Sequence, residues 1–117
     1  MDDVDTLLPE PANPGANQTI PLWDSSTRTN KSPTRTERKI MVTVFANQIV
    51  TVLFSVKSEN GSFRAANGAG DATTASTLFQ KEYLLTGYDQ KVELVTTTAP
   101  TVWEVSGKLT ERRASAT

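Results

Sequence analysis

The run Gln48-Ile-Val-Thr-Val-Leu-Phe-Ser-Val-Lys57 restricts this chain more than any other stretch. Val50, Val52, Phe54 and Val56 recur at every second position, with Thr51, Leu53, Ser55 and Lys57 between them, so one side of a pleated strand is apolar throughout. β-Branched and aromatic residues dominate the run, which favours a strand over a helix of equal hydrophobicity. The rest of the chain has to supply the layer that covers this face.

Four further stretches carry the same period. Lys39–Phe45 sets Ile40, Val42 and Val44 on one side and Met41 and Phe45 on the other; Ala46-Asn47 follows as a short turn, so this strand and the central one are expected to pair as an antiparallel hairpin. Asn60-Gly61 is the strongest tight-turn signal and feeds a strand at Ser62–Ala66. Leu78–Leu85 aligns Phe79, Tyr83 and Leu85, with Lys81 breaking the face. After a turn at 86–90, Gln90–Val95 points Val92 and Leu94 inward, and these two strands are expected to form a second hairpin. Ala99-Pro100 ends it. The last strand, Thr101–Leu109, turns Trp103, Val105 and Leu109 to one side, with Trp103 expected to plug the core. About six short strands with turn signals between them and no helical period define an all-β class: a small antiparallel β-sandwich, jelly-roll or Ig-like, over residues 38–113, with 114–117 as a tail.

Residues 1–37 differ in kind. Pro9, Pro11, Pro14, Pro21 and Pro33 punctuate a stretch rich in Asn, Thr and Ser, which predicts a long extended N-terminal arm. Leu7, Leu8, Ile20, Leu22 and Trp23 stand along it as isolated apolar points, the pattern of a segment that docks piecewise on another surface. Asp2, Asp3 and Asp5 charge its tip, while Arg28, Lys31, Arg35, Arg38 and Lys39 crowd the approach to the first strand. The expected partner contacts are therefore Leu7, Leu8, Ile20, Leu22, Trp23, Arg28 and Arg35. A flexible tail with incidental hydrophobes and solvated charges is the competing reading. In a sandwich this small the sheet edges are templates for pairing, and either the arm or Thr96-Thr-Thr98 is placed to cover one.

Composition removes several chemistries. A net charge of −1 on 117 residues provides no field to attract nucleic acid or an anionic membrane. There is no Cys and no His, so thiolate ligands, cysteine nucleophiles and imidazole bases are absent. Asp71, Glu82, Asp89 and Glu93 fall on different turns and strands, with no spacing that forces a carboxylate pair together. Gly68-Ala-Gly-Asp71 lacks the third glycine of a dinucleotide loop and is one unit of a calcium repeat that needs several copies, so it reads as an exposed loop. Asn17, Asn30 and Asn60 begin Asn-x-Ser/Thr triplets of the sort that an Asn-, Ser- and Thr-rich chain contains by chance. The expectation is a protein without catalytic residues, cofactor or bound metal. The acidic start and the lack of any stretch of about 18 apolar residues argue against a secretory signal and a membrane span, and point to a soluble product made in a cytoplasm.

The arm, the Arg-Thr-Glu-Arg-Lys run at 35–39, the glycine loop at 67–71 and the closing Thr101-Val-Trp-Glu-Val-Ser-Gly-Lys-Leu-Thr-Glu-Arg112 resemble, in their order, the small structural proteins of bacteriophage virions, of the decoration or minor capsid type. The resemblance spans residues 35 to 113 and has no diagnostic motif, so no functional residue transfers by number. It implies a non-enzymatic β-rich virion component, made in the host cytoplasm, that clamps the major capsid or another virion protein through its arm and a sandwich face. It also implies a homo-oligomer, a trimer by analogy. A receptor- or carbohydrate-binding module using Trp23, Tyr83 or Tyr88 as stacking platforms is the alternative, and an enzyme built on the four carboxylates is a third class.

Overall fold

Inward and outward positions alternate along the long strands of the computed structural model, which describes residues 2–25, 36–58, 60–85 and 89–113. The strands are β1 (Asp2–Leu7), β2 (Gln18–Asp24), β3 (Thr36–Ala46), β4 (Val50–Lys57), β5 (Arg64–Ala65), β6 (Asp71–Ala72), β7 (Phe79–Leu85), β8 (Asp89–Thr96) and β9 (Trp103–Arg113). One sheet has the order β1-β9-β3-β7 and the other β2-β8-β4-β5, with β6 also on β4. All pairings are antiparallel. The chain is thus all-β, a two-sheet sandwich as its periodicity predicts. If β5 and β6 are counted as one interrupted strand, each sheet has four strands, and apart from the turn from β4 to β5 every connection crosses between sheets. That is the winding of a jelly roll rather than an Ig fold.

Both expected hairpins are corrected by this winding. β3 pairs with β9 and β7, whereas β4 pairs with β8, β5 and β6, so residues 47–49 cross from one sheet to the other. β7 and β8 likewise lie in different sheets. The inward residues are those the alternation selects all the same: Ile40, Val42, Val44, Val50, Val52, Val92 and Leu94 are fully buried, and Phe54, Tyr83, Leu85, Val105 and Leu109 join them. Trp103 packs at the margin of this core, half-buried, with Nε1 donating to the Pro11 carbonyl at 2.8 Å. Arg38 and Glu111, opposite each other on β3 and β9, form a largely buried ion pair at 3.0 Å.

The Asn60-Gly61 turn feeds a strand of only two residues, β5, because the chain leaves the ladder at Ala66 and rejoins it at β6. The Asn67 side chain spans the gap. Its Oδ1 accepts from the Phe54 amide and its Nδ2 donates to the Val52 carbonyl, both at 3.0 Å, so the side chain bonds β4 on both sides of the break. Gly70 completes the loop at φ +103°, where an added Cβ would collide with Thr51 Cγ2. Replacing Asn67 with Ala leaves both β4 groups without these partners and is expected to destabilise the fold by about 1–3 kcal/mol. Urea unfolding followed by tryptophan fluorescence measures this; a loss well under about 0.5 kcal/mol would mean that the side chain does not replace the ladder.

Candidate interaction edge

Residues 2–7 and 18–24, within the stretch read as an arm, lie as the outer strands of the two sheets on the same flank. β1 follows β9 in register from Asp2 opposite Arg113 to Leu7 opposite Lys108. β2 follows β8 from Gln18 opposite Thr96, with a register shift between Pro21 and Trp23. Proline lacks the N–H for a ladder, which restricts it to an edge or a bulge, and β2 has both. The crossing between β1 and β2 is fastened along its length. The Leu8 amide donates to the Gly107 carbonyl at 2.9 Å, Asn13 Nδ2 to the Pro100 carbonyl at 2.6 Å, and Thr96 Oγ1 to the Gly15 carbonyl at 2.6 Å. At the tip, Thr110 Oγ1 donates to Asp5 Oδ1 at 2.8 Å.

The expected contact residues divide accordingly. Leu22 is part of the core, and Leu8, Ile20 and Trp23 pack against it. Leu7 is turned to solvent, 79% exposed. Arg28 and Arg35 lie outside the described residues, as do Lys31 and Tyr88. Leu8, Leu22 and Trp23 meet around one groove of about 400 Å³ with Pro9, Pro11 and Pro21, and with Glu10 and Asp24 also in its lining. What makes room for them is Gly107, a residue the alternation passes over: a Cβ there would sit 2.9 Å from Leu8 Cδ1 and 3.3 Å from Leu22 Cδ2. A glycine within an otherwise apolar inward row is the sequence signal for such a close approach.

The opposite flank is closed by polar contacts. Asp71 Oδ2 accepts from the Tyr83 hydroxyl at 2.5 Å, from Asn67 Nδ2 at 3.0 Å and from Lys81 Nζ at 3.1 Å, joining β7 of one sheet to the β5–β6 side of the other. The Tyr83 hydrogen bond, with those of Asn67 and Lys81, holds the Asp71 carboxyl below its ordinary value of 3.8 against the opposing effect of burial. Burial, then the bond to Asp71, pushes the Tyr83 hydroxyl well above 10.0. Tyr83 is therefore a core residue with its hydroxyl engaged, not the stacking platform of the binding-module alternative. The other three carboxylates have separate partners: Glu82 faces Lys39 at 4.0 Å, Glu93 faces Lys91 at 3.4 Å, and buried Asp89 accepts from Ser25 Oγ at 2.9 Å. Among the described residues no three acidic side chains gather to hold a metal ion.

The sequence matches no family model and no curated protein. Among solved structures, the tobacco streak virus coat protein dimer aligns with a TM-score of 0.57 at 8% identity, over 98% of this chain and 87% of that one. The same coat protein in a C2 crystal form gives 0.54 at 11% identity, over 97% and 87%. A chain of infectious bursal disease virus, Gx strain, gives 0.51 at 17% identity, over 95% of this chain but 30% of that one. At such identities the likeness is one of fold.

Filling the space at residue 107 tests the first flank. Gly107→Val is expected to cost about 1–3 kcal/mol through overpacking against Leu8 and Leu22, and a second substitution, Leu8→Ala, to recover part of that loss in urea unfolding. Full additivity of the two would place Leu8 away from Gly107. The second flank is tested by pH. Asp71 has a lowered native value, so its contribution is complete above its ordinary value and fades as pH falls through the native one; Tyr83 has a raised value, so its contribution is complete below 10.0 and fades at higher pH. Melting temperature should therefore fall less steeply on the acid side in Asp71→Asn and less steeply on the alkaline side in Tyr83→Phe than in the parent. Limbs that superimpose on the parent's would remove the pair from the pH response.

Proposed function

We propose that this chain is a non-enzymatic structural protein of a virus particle, a jelly-roll subunit that packs in or on a protein shell. The observation that carries this is the whole-chain correspondence in fold with a viral coat protein, over 98% of this chain and 87% of that one. Jelly rolls also serve in lectins and cupins, and a fold by itself does not choose among them. Two features favour the shell. Imidazole ligands are absent from the chain. Two of the described Trp and Tyr side chains are engaged within the chain: Trp103 bonds Pro11, and Tyr83 bonds Asp71.

The narrower form of the proposal is a decoration or minor capsid protein of a bacteriophage, associated with copies of itself and docked on the major capsid protein. It rests on the sequence resemblance. Within it, exposed Leu7 and the Leu8–Trp23 groove are the N-terminal features offered to a neighbour. Density-gradient fractions from the source that expresses this sequence, probed with an antibody to the chain, test the general proposal: the chain should travel with the particle peak and label particles by immunogold electron microscopy. A chain found only in the soluble fractions would overturn it.

A further inference from the structure

Two of the six asparagines are followed by glycine, Asn60-Gly61 and Asn67-Gly68. In this dipeptide an asparagine is most open to attack by its own backbone, because glycine has no Cβ to shield its amide nitrogen. Hydroxide takes the proton of that amide, and the nitrogen then attacks the asparagine Cγ. A succinimide ring closes as Nδ2 departs as ammonia. Water opens the ring at either carbonyl to give aspartate or isoaspartate, so one water is consumed, one ammonia is released and nothing is oxidised or reduced. The reaction needs no catalyst, only a side chain that can turn onto the next nitrogen.

The fold treats the two sites differently. Asn60 is exposed in the turn between β4 and β5, and its side chain has no hydrogen-bond partner among the described residues. The Gly61 amide, the nucleophile at this site, donates to the Ser58 carbonyl at 3.2 Å, the long end of the range for such a bond. Asn67 has three bonds on its side chain. Its Oδ1 accepts from the Phe54 amide, and its Nδ2 donates to both the Val52 carbonyl and Asp71 Oδ2, all at 3.0 Å. Its Cγ cannot turn towards Gly68 while these hold, and the group that must leave is itself the double donor. Reaction at Asn67 therefore requires the β5–β6 edge to open. β5 and β6 each pair with β4 over two residues, and short pairings at a sheet edge belong to the least stable part of a fold.

The consequences differ as well. A carboxylate at position 60 falls in solvent and breaks no bond. At position 67 it removes the donor to the Val52 carbonyl and sets a second negative charge against Asp71, which also accepts from Tyr83 and Lys81.

We infer that the chain carries a spontaneous modification site at Asn60 and a conformationally gated one at Asn67: Asn60 converts in the native protein, whereas Asn67 converts only from the opened edge and, once converted, keeps that edge from closing. Asn67 thus records openings of the β5–β6 edge in a covalent and irreversible form.

The test incubates the full chain in mildly alkaline buffer and follows both sites by peptide mass spectrometry, with electron-transfer fragmentation to identify isoaspartate. In the native protein Asn67 should convert about tenfold or more slowly than Asn60, the effect of one or more net hydrogen bonds on the side chain. In guanidinium chloride the two rates should converge, because both sites are then Asn-Gly in a solvated chain. Asp71→Ala, which removes one acceptor of Nδ2, should speed conversion at Asn67 and leave Asn60 unchanged. The aspartate products are made directly by substitution: Asn67→Asp should lower the melting temperature by about 4 °C or more, and Asn60→Asp should leave it at the parent value. Equal native rates, a difference that persists in guanidinium, or an Asn67→Asp variant that melts with the parent would each overturn the inference. These readings are made on pure protein and are independent of where the chain is found in gradient fractions.

Discussion

The missing side chain at Gly107 is the constraint on which the N-terminal half of the sandwich depends. β9 runs between β1 and β3, and its inward row of Trp103, Val105, Gly107 and Leu109 leaves one vacancy. Leu8 and Leu22 fill it from outside the strand, so the two outer strands are joined to the core at a common point as well as through their ladders. Burying a leucine contributes about 1.5–3 kcal/mol, a large fraction of the net stability expected of so small a domain. The edge strands thereby complete the core as well as the sheets.

On the far flank the means are different. Tyr83 brings its ring into the core beside Phe54, with centroids 5.6 Å apart, and sends its hydroxyl out to Asp71. Asn67 stands between, holding β4 with one end of its amide and Asp71 with the other. One flank is thus closed by shape and the other by hydrogen bonds. The Asp71–Tyr83 contact joins two titrating groups, whereas the contact of Leu8 and Leu22 with Gly107 contains none.

How much of this was legible beforehand differs from strand to strand. The inward sets of β3, β4, β8 and β9 follow from period-two alternation, which depends only on the pleat. The pairing of strands does not follow from it. Ala46-Asn47 has the length and polarity of a hairpin turn, yet the same few residues suffice to cross between sheets, and alternation is identical in either case. β2 was hidden because Pro21 and the bulge beside it interrupt the pattern, and β1 because three aspartates occupy an edge where only backbone groups need to pair. At the candidate edge, Leu8, Leu22 and Trp23 were legible as a group but not as neighbours in one groove. Gly107 was in plain view; what it adjoins is set by residues about 85 and 100 positions earlier, beyond the range of any local pattern.

The pairing of Asp2 with Arg113 and of Gln18 with Thr96 also governs when the protein can form. Strands made earlier wait for strands made later in this chain, so neither sheet can be completed while β8 and β9 are still unmade or held in the exit tunnel. Over that interval Leu8, Leu22 and Trp23 are displayed on a nascent chain with nowhere to go, and folding is set by distant rather than local contacts, which slows it. A cell making many copies at once would hold a crowd of such chains on neighbouring ribosomes, each with a free N-terminal strand and, on the chain ahead, a newly finished edge within reach. Exchange of strands between copies is thus a hazard built into the order of synthesis, and the proline-studded, hydrogen-bonded crossing from Leu8 to Asn17 is what each finished molecule has to keep its own.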